Sequence, residues 1–247
     1  MQETKLLILE NSKIARDIFR LRLKGDLSQV EGPGTFVNLQ VPGFFLRRPL
    51  SICDCEKEEG ILTLIYQIAG QGTHALTHFS PGKSLLVLTG LGRGFDLSPA
   101  GDNPLLIGGG VGLPPLYWLA KELLIQGRRV QVLIGAKDQS SLFYKNEFQQ
   151  LGVDLKIATE DGSFGTQGFV TDLMPGSAYS YLYSCGPNPM LRAVHEKALC
   201  SGQYSFSARM GCGFGVCMGC SIRTLQGPKR VCKEGPVFKG EEILWKD

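Results

Sequence analysis

Four cysteines near the end of this chain constrain it more than any other feature. Cys212, Cys217, Cys220 and Cys232 stand in the spacing C-x4-C-x2-C-x11-C. The first three fall in a spacing that wraps one edge of a [2Fe–2S] cluster. A tight loop of this kind aims three thiolates at two irons and turns its amide N–H groups toward the sulfides. Gly211, Gly213, Gly215 and Gly219 interleave the cysteines and supply the positive φ angles that such wrapping needs. Two bland readings compete. Structural zinc prefers two C-x2–4-C knuckles, and Cys232 has no partner for a second one. The other is a set of inert buried thiols, the reading that suits Cys53, Cys55 and Cys200. Cys53 and Cys55 are expected to share one face of a strand, and Cys200 to pack on a helix.

The rest of the composition narrows the setting. With 43% hydrophobic and 20% charged residues in 247, the chain is neither disordered nor fibrous. Lys and Arg total 26 against 23 Asp and Glu, a net charge of +3, too even to argue for nucleic acid or an acidic membrane. No apolar run approaches the roughly 18 residues of a membrane span. Glu3, Glu10 and Asp17 around Leu6–Leu9 do not make a signal peptide. The expected location is the cytoplasm, where thiols stay reduced and clustered cysteines point to metal before disulfide.

Three segments differ in rhythm. Residues 1–97 read as β: Phe19, Leu21 and Leu23 alternate with Arg20, Arg22 and Lys24, the period of a half-buried strand. Short runs at Phe36–Val41, Leu50–Cys53, Ile61–Ile68 and Leu85–Leu88 continue the pattern, with a helical turn expected at Ala75–Phe79. Turn residues between them predict an antiparallel barrel or sandwich. Residues 98–203 alternate strand and helix. Strands are expected at Leu105–Ile107, Val130–Ile134, Leu155–Ala158 and Tyr179–Ser184, and helices around Leu116–Leu124, Leu142–Leu151 and Met190–Leu199. That order predicts a parallel sheet covered on both faces. Residues 204–247 hold the cysteine cluster and are too few to bury much core of their own.

Two loops in the second segment suit a nucleotide. Gly108-Gly109-Gly110-Val111-Gly112-Leu113-Pro114-Pro115 follows a strand and opens a helix, where backbone can approach a pyrophosphate. Leu113 stands where the usual third glycine would fall, and a plain tight turn explains the run about as well. Cys185-Gly186-Pro187 ends the last strand, at the sheet edge where ligands bind. In the first segment, Arg48-Pro49-Leu50-Ser51 offers a fork of donors and a hydroxyl. Tyr66 offers an aromatic face for a flavin, and Gly70-Gln71-Gly72-Thr73 offers backbone N–H and a hydroxyl to phosphate. His74, His78 and His195 have no matching nucleophile or ligand set.

The order of these parts resembles the ferredoxin-reductase superfamily: an antiparallel β-barrel domain, an α/β parallel-sheet nucleotide-binding domain and a small C-terminal iron–sulfur module. Within it, the chain is most similar to the electron-transfer subunits of class 1B dihydroorotate dehydrogenase. The most specific stretches are Met210 to Cys220 and Val231 to Phe238. The resemblance implies an FAD site at Arg48, Pro49, Leu50 and Ser51, then Ile65, Tyr66 and Gln67, then Gly72 and Thr73. Gln67 stands where the family often has Arg. It implies NAD contacts at Gly109, Gly110, Val111 and Gly112 and at Cys185, Gly186 and Pro187, with Cys212, Cys217, Cys220 and Cys232 as cluster ligands. NAD is preferred to NADP because no Arg cluster follows the second strand.

The same resemblance implies a partner catalytic subunit holding FMN, which oxidises dihydroorotate to orotate, and assembly as a dimer of heterodimers. Electrons then pass through the [2Fe–2S] cluster and FAD to NAD+, in pyrimidine biosynthesis, with no acid–base side chain needed on this chain. Two alternatives stay open. One is the same architecture serving a glutamate-synthase-like or sulfhydrogenase complex, a group in which some members carry Asp in place of the first cluster cysteine. The other is a non-enzymatic, zinc-stabilised adaptor.

Overall fold

The computed structural model describes residues 1–176 and 179–245. Six antiparallel strands close into a barrel: β1 (Gln2–Ala15), β2 (Ile18–Lys24), β3 (Phe36–Leu39), β4 (Arg48–Glu56), β5 (Ile61–Gln67) and β6 (Ser84–Leu91). Their order around the barrel is β1-β2-β5-β4-β3-β6. β2 behaves as its alternation requires. Leu21 and Leu23 are fully buried, while Arg20 and Arg22 pair outward with Glu10 and Glu56. The strand that the sequence hides is β1, whose text is mostly polar. It pairs with β2 on one side and β6 on the other, which buries Leu6 and Ile8. Helix α1 (Gln71–Leu76) lies earlier than the helical turn expected at Ala75–Phe79.

Two local features break simple alternation. All four residues of β3 are buried, because Val37 and Leu39 fill the barrel while Phe36 turns outward into a different core. In β4 the register against β5 slips between Ile52 and Asp54. The bulge reverses the side-chain alternation, so Cys53 and Cys55 do not share a face. Cys53 is fully buried in the same cluster as Leu116, Ala120, Tyr144 and Phe148, outside the barrel, and Cys55 packs on the barrel core.

The second half is a seven-stranded sheet with the order β10-β9-β8-β7-β11-β12-β15. Its strands are β7 (Leu105–Gly109), β8 (Gln131–Ala136), β9 (Asp154–Thr159), β10 (Thr166–Gln167), β11 (Leu182–Cys185), β12 (Gly202–Ser205) and β15 (Val237–Lys239). All neighbours run parallel except β12 and β15. Helices α2 (Leu113–Ile125), α3 (Lys145–Gln150) and α4 (Asn188–Lys197) cover it. α3 is shorter than Leu142–Leu151 because Tyr144 takes a left-handed φ of 60° just before it. α4 ends before Cys200, which lies in the following bend rather than on a helix.

The C-terminal segment is stitched into this sheet. β12 spans the expected boundary at residues 203 and 204, and β15 runs antiparallel beside it. A hairpin, β13 (Ser221–Thr224) with β14 (Gly227–Arg230), carries the remainder. The segment gains a core by sharing one. Val231, Phe238, Cys220 and Cys232 are buried together with Phe36 and Leu91 of the barrel and Leu105 and Ile107 of the sheet. The two halves are also clamped at α2 and β4, where Lys121 Nζ donates to both carboxylate oxygens of Asp54 at 2.8 and 2.6 Å. Among the described residues no helix is long and apolar enough to cross a membrane.

Candidate functional site

The cysteine loop is built around two thiol pairs. Cys212 Sγ accepts from the backbone N–H of Val216 at 3.3 Å and of Cys217 at 3.5 Å, and Cys217 Sγ accepts from Cys212 N–H at 3.4 Å. Cys220 Sγ accepts from Cys232 N–H at 3.5 Å, and these two thiols also touch each other. Burial works against ionisation of Cys212, but the N–H groups of Cys217, Phe214 and Val216 outweigh it and bring the thiol down to about 6. Burial and the Cys220 thiol push Cys232 up. Among the described residues no three His, Cys, Asp or Glu side chains converge as they would around one metal ion. Four thiols in two neighbouring pairs, with backbone N–H donors around them, would suit a [2Fe–2S] cluster.

Of the interleaved glycines, Gly213 and Gly215 take positive φ (78° and 93°), as the wrapping argument requires. Gly211 and Gly219 do not. Gly211 instead makes room, since a Cβ there would lie 3.0 Å from Cys217 Sγ. Two residues that motif reading passed over brace the loop. Asn38 Nδ2 on β3 donates to the Cys212 carbonyl at 3.1 Å. Arg230 donates to the Gly215 carbonyl and, through Nε, to Glu234 at 3.0 Å, and this contact holds the Glu234 carboxyl down at about 2. A lone Asn within the apolar run Phe36-Val37-Asn38-Leu39 was the available signal for the first.

The two nucleotide loops meet. A Cβ on Gly112 would lie 2.1 Å from the Cys185 carbonyl oxygen, and one on Gly186 would lie 3.3 Å from Gly109 N. The carboxyl ends of β7 and β11 pair in register, Cys185 beside Gly108, so both loops open on one sheet edge, as ligand binding in an open sheet requires. Gly110 and Val111 are exposed there, and Pro114 and Pro115 start α2, where a missing N–H has no consequence. The Cys185 thiol belongs to the core. It is 5% exposed, contacts Ser205, and is pushed up to about 11 by burial. The Cys185 carbonyl oxygen faces Gly112.

In the barrel, Arg48 and Gly72 come together from different strands and loops. A Cβ on Gly72 would lie 2.0 Å from Arg48 Nε, and the guanidinium also covers the Phe44 ring at 4.9 Å. Pro49 and Ser51 stand opposite Asn38 and Phe36 and share their outward face. This cradle fits a phosphate-bearing flavin nucleotide.

Most of the other residues expected at the flavin have their side chains engaged elsewhere in the fold. The Tyr66 ring packs in the barrel core. It is 1% exposed, its hydroxyl donates to Asn11 Oδ1 at 2.9 Å, and its ring stacks on Phe19. Leu50 and Ile65 are likewise turned into cores, leaving only their backbone groups, and exposed Gln67 ends the strand. The Thr73 hydroxyl is committed to its own turn, donating to Gly70 O and accepting from Ala69 N–H and Gly70 N–H.

Comparison with known proteins agrees with this arrangement. Residues 207–244 match the iron–sulfur cluster binding domain of dihydroorotate dehydrogenase B, and residues 106–196 match the oxidoreductase NAD-binding domain. The dihydroorotate dehydrogenase B (NAD(+)) electron transfer subunit of Bacillus cereus (strain B4264) is 40% identical, over 99% of this chain and 100% of its own length. The same subunit of Bacillus anthracis (strain A0248) matches equally. The chain belongs to the electron transfer subunits of dihydroorotate dehydrogenase B. Its cofactors are those of that family: FAD, a [2Fe–2S] cluster and NAD. Among solved structures, an NADH-dependent reduced ferredoxin-NADP oxidoreductase described for flavin-based electron bifurcation superposes with a TM-score of 0.88 at 30% identity. That match covers 97% of this chain and 90% of the other. Phthalate dioxygenase reductase shares the fold, with a TM-score of 0.69 at 19% identity over 90% and 87% of the two chains. An electron transfer subunit of this family works with a catalytic partner.

Proposed function

We propose that this chain carries electrons from an FMN-containing dihydroorotate dehydrogenase catalytic subunit to NAD+ in pyrimidine biosynthesis, in the cytoplasm, within a dimer of heterodimers. The observation that carries the reading is one of placement. The paired-thiol loop sits on the barrel face that also bears Pro49 and Ser51, while the Gly112–Cys185 crevice opens at the sheet edge. When bound, the cluster and FAD supply one-electron transfer and its conversion to a hydride pair.

The chain's own residues bind and orient. Arg48 holds the FAD pyrophosphate through its fork of donors, with Gly72 leaving room for the guanidinium. Ser51 and the backbone of β4 and β5 border the flavin. The Gly109–Gly112 and Cys185–Pro187 loops hold NAD, and Cys212, Cys217, Cys220 and Cys232 hold the cluster. The working division is a FAD-binding barrel over 1–97, an NAD-binding unit over 98–203 and a cluster unit over 204–247. Phe214, Val216 and Met218, large apolar side chains exposed on the cluster loop, support a partner seated there.

The test is dihydroorotate-dependent NAD+ reduction by the native complex, isolated anaerobically, with this chain alone as control. Activity in the complex and none in the isolated chain is expected. A preparation that retains FAD and iron and reduces a dye with NADH, yet is inactive with dihydroorotate, assigns the chain to a different electron-transfer complex.

A further inference from the structure

The barrel contributes one polar side chain to the cluster loop, and it comes from the strand beside the flavin motif. Asn38 is 1% exposed. Its Nδ2 donates to the Cys212 carbonyl at 3.1 Å, which fixes the orientation of the amide, since a carbonyl accepts only from the NH2 end. A Cβ on Gly213 would lie 2.3 Å from the same nitrogen, so the loop rests directly on this side chain. Its cross-strand partner on β4 is Pro49, next to Arg48 and two residues from Ser51, and residues so paired share a face of the sheet. The other end of the amide, Oδ1, is buried without a hydrogen-bond partner. A buried acceptor left unpaired is destabilising, so stability alone would favour an apolar residue of the same size here.

We infer that Asn38 is a positioning residue that fixes the first cluster ligand against the flavin-bearing strand and thereby sets electron exchange between the two redox centres. The inference rests on the assignment of FAD to the barrel and of the cluster to the cysteine loop. The physical basis is leverage. Cys212 lies on a loop that Arg230 braces from within the C-terminal segment, while Met210 and Cys220 at its ends pack in the core shared with Phe36 and Leu91. Asn38 adds a directional tie between the Cys212 peptide itself and the barrel. Removing it leaves the thiol able to bind iron but frees its peptide to move relative to β4. Partners of metal ligands of this kind affect affinity or activity by about ten- to a hundredfold.

The experiment compares the full chain with Asn38→Leu and Asn38→Asp, each with its partner subunit. Leucine fills the space and lacks a donor. Aspartate is isosteric and lacks a donor, and it covers the case in which leucine prevents folding. FAD and iron per chain are measured first. The EPR spectrum of the dithionite-reduced cluster is recorded next, and then the rate at which one of NADH's two electrons reaches the cluster, relative to flavin reduction in the same trace. The expected result is a changed EPR line shape and a relative cluster-reduction rate lowered about tenfold or more in both variants. Loss of iron from a folded variant that retains FAD overturns the inference, since Asn38 would then be needed to hold the cluster and not to position it. A leucine variant matching the unsubstituted chain in line shape and relative rate overturns the inference, as does an aspartate variant that matches it. An unsubstituted complex lacking FAD or iron would instead remove the cofactor assignment on which the inference stands.

Discussion

The guanidinium of Arg48 lies against the backbone of Gly72, so close that a single added Cβ would come within 2.0 Å of Nε and 2.2 Å of Nη2. The contact joins the first residue of β4 to the start of α1. A side chain at position 72 would have to displace the guanidinium. Gly72→Ala is expected to displace the guanidinium and lower FAD affinity about ten- to a hundredfold, the equivalent of the ~1–3 kcal/mol that overpacking imposes. The flavin-to-protein ratio after gel filtration checks this. A ratio equal to that of the unsubstituted chain would remove Arg48 from the FAD site.

Gly112 faces the Cys185 carbonyl across the nucleotide crevice. Gly112→Ala forces the β7 and β11 loops apart. The efficiency of NADH-dependent dye reduction should fall about tenfold or more, chiefly through KM. Steady-state kinetics at several NADH concentrations separates this from a loss of flavin.

Cys217 is the exposed member of its thiol pair. Cys217→Ser should abolish the cluster absorbance and EPR signal while the barrel keeps most of its FAD, because the two sites lie on different segments. A normal cluster spectrum would contradict the ligand set.

The Lys121–Asp54 pair links α2 to the barrel, with Asp54 13% and Lys121 30% exposed. This lies between the fully exposed and fully buried cases. Asp54→Ala should reduce stability by about 1–2 kcal/mol, seen as a lower denaturant midpoint with an unchanged slope.

His195 stacks on Trp245 at 4.4 Å and faces the Tyr204 hydroxyl at 3.3 Å, with Glu196 and Glu241 as the nearby carboxylates. Burial holds its pKa below the ordinary 6.5. The unfolded chain therefore takes up this proton first as the pH falls. The stability contribution is complete above the ordinary value and declines as pH drops through it, levelling off below the folded value. The melting temperature should fall between pH 7.5 and about 5.5, and the fall should be smaller in His195→Phe.

Much of the site was legible because its chemistry is local. The spacing of Cys212, Cys217 and Cys220, the glycine run before α2 and the Arg48–Ser51 motif are each contiguous, and a loop or strand end gives such residues one geometry. The alternation of β2 and the strand–helix rhythm after Ser98 gave the two sheet types for the same reason. That Tyr66 packs in the barrel core was not legible, because period-2 reasoning does not say which face of a barrel strand is the inside. The bulge in β4 separated Cys53 from Cys55, since one extra residue reverses every side chain after it.

The sequence by itself determined the cysteine spacing of the C-terminal loop, the succession of barrel and parallel sheet, and the backbone loops that open on the sheet edge. These follow from spacing and from periodicities of a few residues. The tertiary structure decided that β1 is a strand, that β15 joins the nucleotide sheet, and that Asn38 reaches Cys212 across 174 positions of chain. None of these has a local signature. Each is fixed by which surfaces remain to be covered once the barrel has closed, and burial against a distant partner outweighs the weak preferences of the segment itself.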